Sequence, residues 1–324
     1  MKIQLKPVKY RLEFVNFVVG AAVLAFELTA SRVAAPYIGT SIYIWTSIIG
    51  VILAALAVGY SLGGKIADKR QRAQDVVWLL VLAAALILFI NTVKDPVLNF
   101  ITGNSLALQW QALLASLILF APPTVLLGMI SPYLARLNIT KLADSGQKLA
   151  SIGAWGTAGS LFGTFVTGYF LFGFIGTRYL LSAIALALIA VSFAMSRRAY
   201  LPARTLFAAV AIFQIISAPS LWFSNVVADI DTRYGRVTVR DVNYGLRPVR
   251  VLQMDRQYWQ SGVYLDGDKS LVFPYTQAFY ILSQTNLSAR QQLIIGGGAF
   301  TLPQYLAKAS PSSTIDAVEI DGGL

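Results

Sequence analysis

Apolar residues in this chain gather in long blocks, and this blockwise pattern predicts helices that are hydrophobic all round. The runs are Phe14 to Ala30, Tyr43 to Gly64, Val76 to Val93, Leu106 to Ile130, Ile152 to Ile175 and Tyr179 to Met195. Each is about the ~20 residues that a helix needs to cross lipid. A seventh run, Leu206 to Leu221, is near the minimum and carries Gln214, Ser217 and Pro219. A full span, an interfacial helix and a re-entrant segment all stay open for it. The first run is not a cleaved leader, because Glu27 and Arg32 stand where a small-residue cleavage site belongs. Residues 1–221 therefore read as a mainly α, polytopic membrane bundle of about seven spans.

Beyond the bundle the pattern shortens. Arg236 to Arg240 and Val249 to Gln253 alternate as strands do, joined through the turn signal Asn243-Tyr244-Gly245. Residues 222–290 thus form a small β-strand region. Residues 291–324 hold the apolar strand Leu293-Ile294-Ile295, the triplet Gly296-Gly297-Gly298 and a helix opening at Thr301 with Pro303 in its first turn. A second strand, Ala317 to Asp321, ends in acid. This order predicts the start of a Rossmann-like α/β domain, incomplete within the chain. Glycines let the backbone approach a nucleoside, and an acid about 20 residues on accepts from a ribose diol. A tight turn with no ligand is the alternative.

Composition agrees with the membrane assignment: 56% of residues are hydrophobic, 13% are charged, and mean hydropathy is +0.63. Charge then orients the chain. Lys2, Lys6, Lys9 and Arg11, then Lys65, Lys69, Arg70 and Arg72, then Arg136, Lys141 and Lys148, then Arg197, Arg198 and Arg204 fall between alternate pairs of runs. The opposite loops hold Arg32, Lys94 and Arg178. The positive-inside rule puts the N-terminus in the cytoplasm of a multi-pass cell-membrane protein. The net charge of +11 is then met by anionic headgroups, without nucleic acid. Cysteine and histidine are absent, which excludes disulfides, thiolate nucleophiles, histidine bases and the commonest zinc ligands; no metal is expected.

Within the bundle, Gly153, Gly156, Gly159, Ser160, Gly163, Thr164 and Gly168 recur at spacings that allow a close helix crossing. Pro122 and Pro123 predict a kinked or broken fourth helix. Glu27 is an acid well inside a span. It is a functional candidate together with Arg32, or a helix lock paired with Arg32 or Arg178. The stretch Gly59 to Arg70 looks like the glycine, acid and basic loop of major facilitator transporters, with Asp68 free to cap or bridge neighbouring helix ends.

Taken together, several segments resemble the membrane-fused spermidine synthase family, polyamine aminopropyltransferases with an N-terminal transporter-like bundle. They are Phe26 to Arg32, Ala35-Pro36-Tyr37-Ile38-Gly39 with Trp45, Gly59 to Arg70, Pro122-Pro123-Thr124 with Gly128, and the fifth-run glycines. In the remainder they are Tyr234 to Val237, Gln260-Ser261-Gly262, Tyr275-Thr276, the glycine triplet and Val318-Glu319-Ile320-Asp321.

The resemblance implies aminopropyl transfer from decarboxylated S-adenosylmethionine, as co-substrate, to the polyamine putrescine. Gly296, Gly297 and Gly298 would hold the cofactor and Glu319 its ribose. Gln260 and Tyr275 match positions facing cofactor or amine. The family's proton-accepting acid would lie beyond Leu324, so no catalytic residue is assigned and the chain is expected to be incomplete for catalysis. Two departures stand out. Ala299 and Phe300 replace an acid and a glycine after the triplet, and Tyr275-Thr276-Gln277 replaces Tyr-His-Glu. Both remove carboxylates that would face an ammonium. A transporter-like or polyamine-sensing protein with a vestigial ligand domain, and an S-adenosylmethionine-dependent methyltransferase-like enzyme, are the other readings.

Overall fold

The computed structural model describes residues 10–139, 144–217, 225–232, 234–254, 258–285 and 291–324. Lys2, Lys6, Lys9, Lys141, Pro219 and Leu221 lie outside the described residues. The chain divides into two compact units, Met1–Ser217 and Ala218–Leu324.

The first unit is helical. Six helices are long and apolar enough to cross a membrane: α1 (Arg11–Ile38), α2 (Ile42–Lys69), α3 (Ala73–Gly103), α4 (Leu108–Asn138), α5 (Ser145–Phe174) and α6 (Thr177–Met195). This is a membrane protein. The seventh apolar run forms a shorter helix, α7 (Leu201–Ile216), shifted towards the N-terminus of the predicted segment. Among the described residues, six long spans and one short helix stand where about seven spans were expected.

Small residues set the closest crossings, because lipid supplies no hydrophobic drive between helices and backbone proximity must. A Cβ on Gly20 would fall on the Gly156 carbonyl, and one on Gly159 on the Phe17 carbonyl, so α1 and α5 meet backbone to backbone. Ser160 Oγ adds a hydrogen bond to the Gly20 carbonyl at 3.3 Å. The pair Gly59 and Gly63 plays the same part between α2 and α4, against the carbonyls of Val125 and Met129. The stretch Gly59 to Arg70, expected as a loop, is thus helical through Lys69, because its glycines pack in a helix crossing. Asp68 does bridge to a neighbouring helix end, its Oδ1 lying 2.9 Å from Arg136 Nε.

Helix α4 absorbs its prolines without breaking. Residues Ser116–Phe120 form a π-helical turn just before Pro122 and Pro123, and the Ala121 N–H reaches back to the Ser116 carbonyl. Such a widened turn accommodates backbone groups that proline cannot serve. Lys94, expected in a loop, sits inside α3, which continues ten residues past Val93 to Gly103. Its ammonium is 3.0 Å from Asp95 Oδ1, whose carboxylate also accepts from the Tyr37 hydroxyl.

One end of the bundle gathers the starts of α1, α3, α5 and α7 and the ends of α2, α4 and α6. Asn16 Nδ2 donates to the Ile152 carbonyl at 2.7 Å, and Tyr133 joins α4 to Asp75 of α3 at 2.7 Å. Arg11 donates to the Met195 carbonyl at 2.7 Å. Arg204, fully buried, donates to the carbonyls of Ser196 at 2.6 Å and Ser192 at 3.0 Å. These guanidinium groups bond carbonyls at the C-terminus of α6, of which that of Ser192 also accepts the Ser196 N–H, and complement the helix dipole. Arg11 and Arg204 are therefore helix caps, where the sequence suggested contact with headgroups.

The second unit opens with an antiparallel meander in the order β1 (Val226–Asp231), β2 (Arg236–Tyr244), β3 (Arg247–Met254), β4 (Tyr258–Tyr264). Its core is Val249, Val251, Val272 and Phe273. Helix α8 (Pro274–Ser283), which the strand-only reading of this region missed, follows. A parallel pair, β5 (Gln291–Ile295) and β6 (Thr314–Val318), is connected through α9 (Thr301–Ala309).

Candidate functional site

The glycine triplet leaves β5 and turns into α9. Gly296 continues the parallel ladder by donating to the Val318 carbonyl at 2.8 Å. It then bends with φ 91°, and Gly298 adopts φ 52°, values that L side chains resist and glycine accepts. Phe300 follows at φ 56°. A β-carbon in this region costs of order 1 kcal/mol or more, so the backbone here favours glycine at the position that phenylalanine occupies. The Phe300 ring lies against Gly297, where a Cβ would come within 2.8 Å of it.

Glu319 closes the turn from the end of β6. Its Oε2 accepts from the Gly298 N–H at 2.9 Å and its Oε1 from the Asp321 N–H at 3.0 Å. The N–H groups of Asp321 and Gly298 hold its carboxyl below the ordinary glutamate pKa. A carboxylate offers about four lone-pair positions; besides the two bonded N–H groups, those of Gly297 and Ile320 also favour its charged form, and it presents the turn with a charged acceptor for hydroxyls. The negative charge stands at the N-terminal opening of α9, the place where helix N–H groups otherwise attract phosphate. The arrangement suits a neutral diol and disfavours a phosphate.

Strand β4 supplies a residue that the sequence reading quoted but gave no role. Ser261, buried, accepts the Ala299 N–H on its Oγ at 3.1 Å. It follows a β-bulge: the register passes from Leu252↔Ser261 to Gln253↔Trp259, leaving Gln260 as the extra residue, exposed. Bulges re-aim neighbouring side chains. The Tyr275 hydroxyl donates to the Gln260 carbonyl, and burial pushes the Tyr275 phenol above its ordinary pKa. The Tyr275 ring stacks on Phe273 at 6.2 Å between centroids. The structure thus joins the glycine triplet to Glu319 and Ser261, and Tyr275 to Gln260.

Asp321, also buried, accepts the Gly323 N–H on Oδ1 at 3.0 Å, while its Oδ2 has no hydrogen-bond partner among the described residues. No group of three or more metal-ligating side chains occurs among the described residues.

In the bundle, Glu27 is half-buried. Neither a hydrogen bond nor an ion pair joins it to Arg32 or Arg178 among the described residues. The Arg32 guanidinium stands 4.1 Å from the centroid of the Phe172 ring, a cation–π contact between α1 and α5.

Comparison with protein-family models, with curated proteins and with solved structures found no match for this chain.

Proposed function

We propose that this membrane protein binds the adenosyl part of a sulfonium cofactor of the S-adenosylmethionine class in its second unit, as a relative of the membrane-fused spermidine synthases. In this reading, β5, α9 and β6 are the opening of a Rossmann-like α/β fold, and the N-terminus lies in the cytoplasm beside the basic helix ends. The observation that carries it is Glu319. A carboxylate already seated on the Gly298 N–H fills the place that a dinucleotide's phosphate would need, and a charged acceptor there suits a ribose diol. A sulfonium, being cationic, meets attraction where a phosphate meets repulsion.

Two further features support the family reading. Phe300 holds a backbone conformation that favours glycine, the residue the family carries there. The meander abuts the triplet through Ser261, as expected of a β element flanking a cofactor cleft. In the family reaction, the amine attacks the carbon beside the sulfonium. The new C–N bond forms as the C–S bond breaks and methylthioadenosine leaves, and an acid takes the amine proton. Ala299 withdraws the counter-charge for an aminopropyl ammonium, so the adenosyl moiety carries most of the recognition by this chain's own residues.

Titration calorimetry on the full chain in lipid nanodiscs tests the proposal with methylthioadenosine, decarboxylated S-adenosylmethionine and intact S-adenosylmethionine. All three are expected to bind, and Glu319→Gln to weaken each by about tenfold, the cost of losing a charge-assisted hydrogen bond. Preference for the intact cofactor would favour a methyltransferase-like enzyme over an aminopropyltransferase. Binding of NAD with no binding of methylthioadenosine would overturn the proposal.

A further inference from the structure

Glu27 lies inside α1, roughly 24 Å along the helix from Arg11 and roughly 17 Å from Ile38. Neither a hydrogen bond nor an ion pair engages its carboxyl among the described residues. A lone ionised carboxylate is costly at such a depth, and acids kept there serve a function by default.

The face of α1 that carries Glu27 looks into the bundle. Asn16 stands on the same face three turns earlier, and its amide donates to Ser131 Oγ of α4 at 3.3 Å and to the Ile152 carbonyl of α5 at 2.7 Å. Val23, Ser31 and Ala34, also on this face, are buried. Glu27 between them is only half-buried, so the bundle leaves a local opening at its carboxyl.

Two irregular turns flank that opening. The Phe26 ring meets Phe120 of α4 edge to face, 5.9 Å between centroids, and Phe120 closes the π-helical turn Ser116–Phe120. On α5, a Cβ at Gly163 would meet the Ala21 carbonyl, and Phe172 receives the Arg32 guanidinium at 4.1 Å. A second π-helical turn, Val166–Leu171, lies between those two contacts and therefore runs past Glu27. Single π turns within α-helices gather at functional sites. Pro122 and Pro123 have no N–H to give, so carbonyl oxygens of the α4 turn are left for other partners.

Charged groups on the helices packed against α1 are engaged elsewhere or stand at helix ends. Asp68 pairs with Arg136, Asp75 with Tyr133 and Lys94 with Asp95. Lys65 and Lys69 end α2, and Lys148 stands in the first turn of α5. Arg178 opens α6 without a bond to Glu27. Tyr169, in the π turn of α5, packs its ring on Phe165 at 5.5 Å.

We propose that Glu27 is a proton–cation exchange site within the bundle. Its carboxyl holds a proton when alone; when a small monovalent cation enters beside it, the O–H bond breaks, the proton leaves to water and the carboxylate keeps the cation as counter-charge. The site is neutral in both states, as its surroundings require. The ligand is sodium or a primary ammonium, cations that carboxylate and helix-turn carbonyl oxygens hold inside membranes. The proposal does not rest on the nucleoside reading of the glycine turn.

The test uses the full chain in weakly buffered phosphatidylcholine nanodiscs near neutral pH, with a pH indicator reporting protons released by sodium chloride or by ethylammonium chloride. About one proton per chain is expected, because the ligating carboxyl must lose its own. Infrared difference spectra of the same samples are expected to lose the C=O stretch of one protonated carboxyl as cation is added. Glu27→Gln, isosteric with the protonated acid, should abolish both signals, and Glu27→Asp should keep them at higher cation concentration. Release by sodium alone identifies a metal-ion site, and release by ethylammonium alone an amine site. No release with either cation, or equal release from Glu27→Gln, would overturn the site.

Discussion

Gln214 Oε1 accepts a hydrogen bond from Asn91 Nδ2 at 3.0 Å, linking the short helix α7 to α3. The same amide donates from Nε2 to the Leu88 carbonyl at 3.1 Å, and Ser182 of α6 adds a 3.3 Å bond to Oε1. Ten residues earlier, Arg204 holds the other end of α7 to the C-terminus of α6. Helix α7 is therefore pinned antiparallel along α6 at two points about 15 Å apart. Its polar residue faces partners in the bundle, where lipid would leave it unsatisfied.

Gln214→Leu is expected to lower stability in detergent micelles by about 1 kcal/mol, within the range of interhelical hydrogen bonds in membranes. Asn91→Leu added to it is expected to cost less than Asn91→Leu alone, because the two side chains share one bond. Reversible unfolding followed by circular dichroism gives the cycle. Strict additivity would mean that the contact contributes nothing.

The α1–α5 crossing predicts a contrast between two glycines of one helix. A Cβ at Gly159 meets the Phe17 backbone, whereas one at Gly153 meets nothing within 4 Å. Gly159→Val is expected to destabilise by roughly 1–3 kcal/mol, the range for overpacking, while Gly153→Val stays near neutral. Thermal melts of the two variants against the parent chain check this. Equal shifts would contradict a backbone-to-backbone crossing.

Glu319 predicts a pH dependence with a definite sign. Its carboxyl has a lower pKa in the folded chain than the ordinary value, through the N–H groups of Asp321 and Gly298. The unfolded chain therefore binds the proton more readily, and stability rises with pH through this window. The contribution is complete above the unfolded value of about 4.3 and is lost as pH falls through the lower folded value. Melts of the parent chain and Glu319→Gln are expected to differ near neutral pH and to converge in acid. A gap that widens in acid would reverse the assignment.

What the sequence made legible follows the strength of the local signal. The six long apolar runs became six long helices because nothing but an internally bonded helix satisfies backbone in lipid. The strands around Asn243-Tyr244-Gly245 were legible for a similar reason, since alternation and a turn glycine agree. Lys94 misled because charge was counted as a loop marker, while Asp95 and Tyr37 make it tolerable inside α3. Gln214 misled in the same way: its polarity suggested an interface, and its satisfaction depends on Asn91 and Ser182, far away in sequence. Ser261 was quoted without a role because a buried serine acquires meaning only through the bulge at Gln260 and the Ala299 N–H beside it.

The arginine caps on α6 carry a consequence for how the protein is made. Arg11 binds the Met195 carbonyl across 184 residues of chain. At roughly 5–20 residues per second, synthesis of that interval takes on the order of 10–40 s. During that time the first helix is already in the membrane without the partner for its guanidinium. The bundle thus closes late, when the sixth helix emerges and brings its free carbonyls to an arginine that has been waiting since the start of translation. The first helix and the sixth meet only after the four between them have been made, and α7 docks along α6 after that, through Arg204 and Gln214.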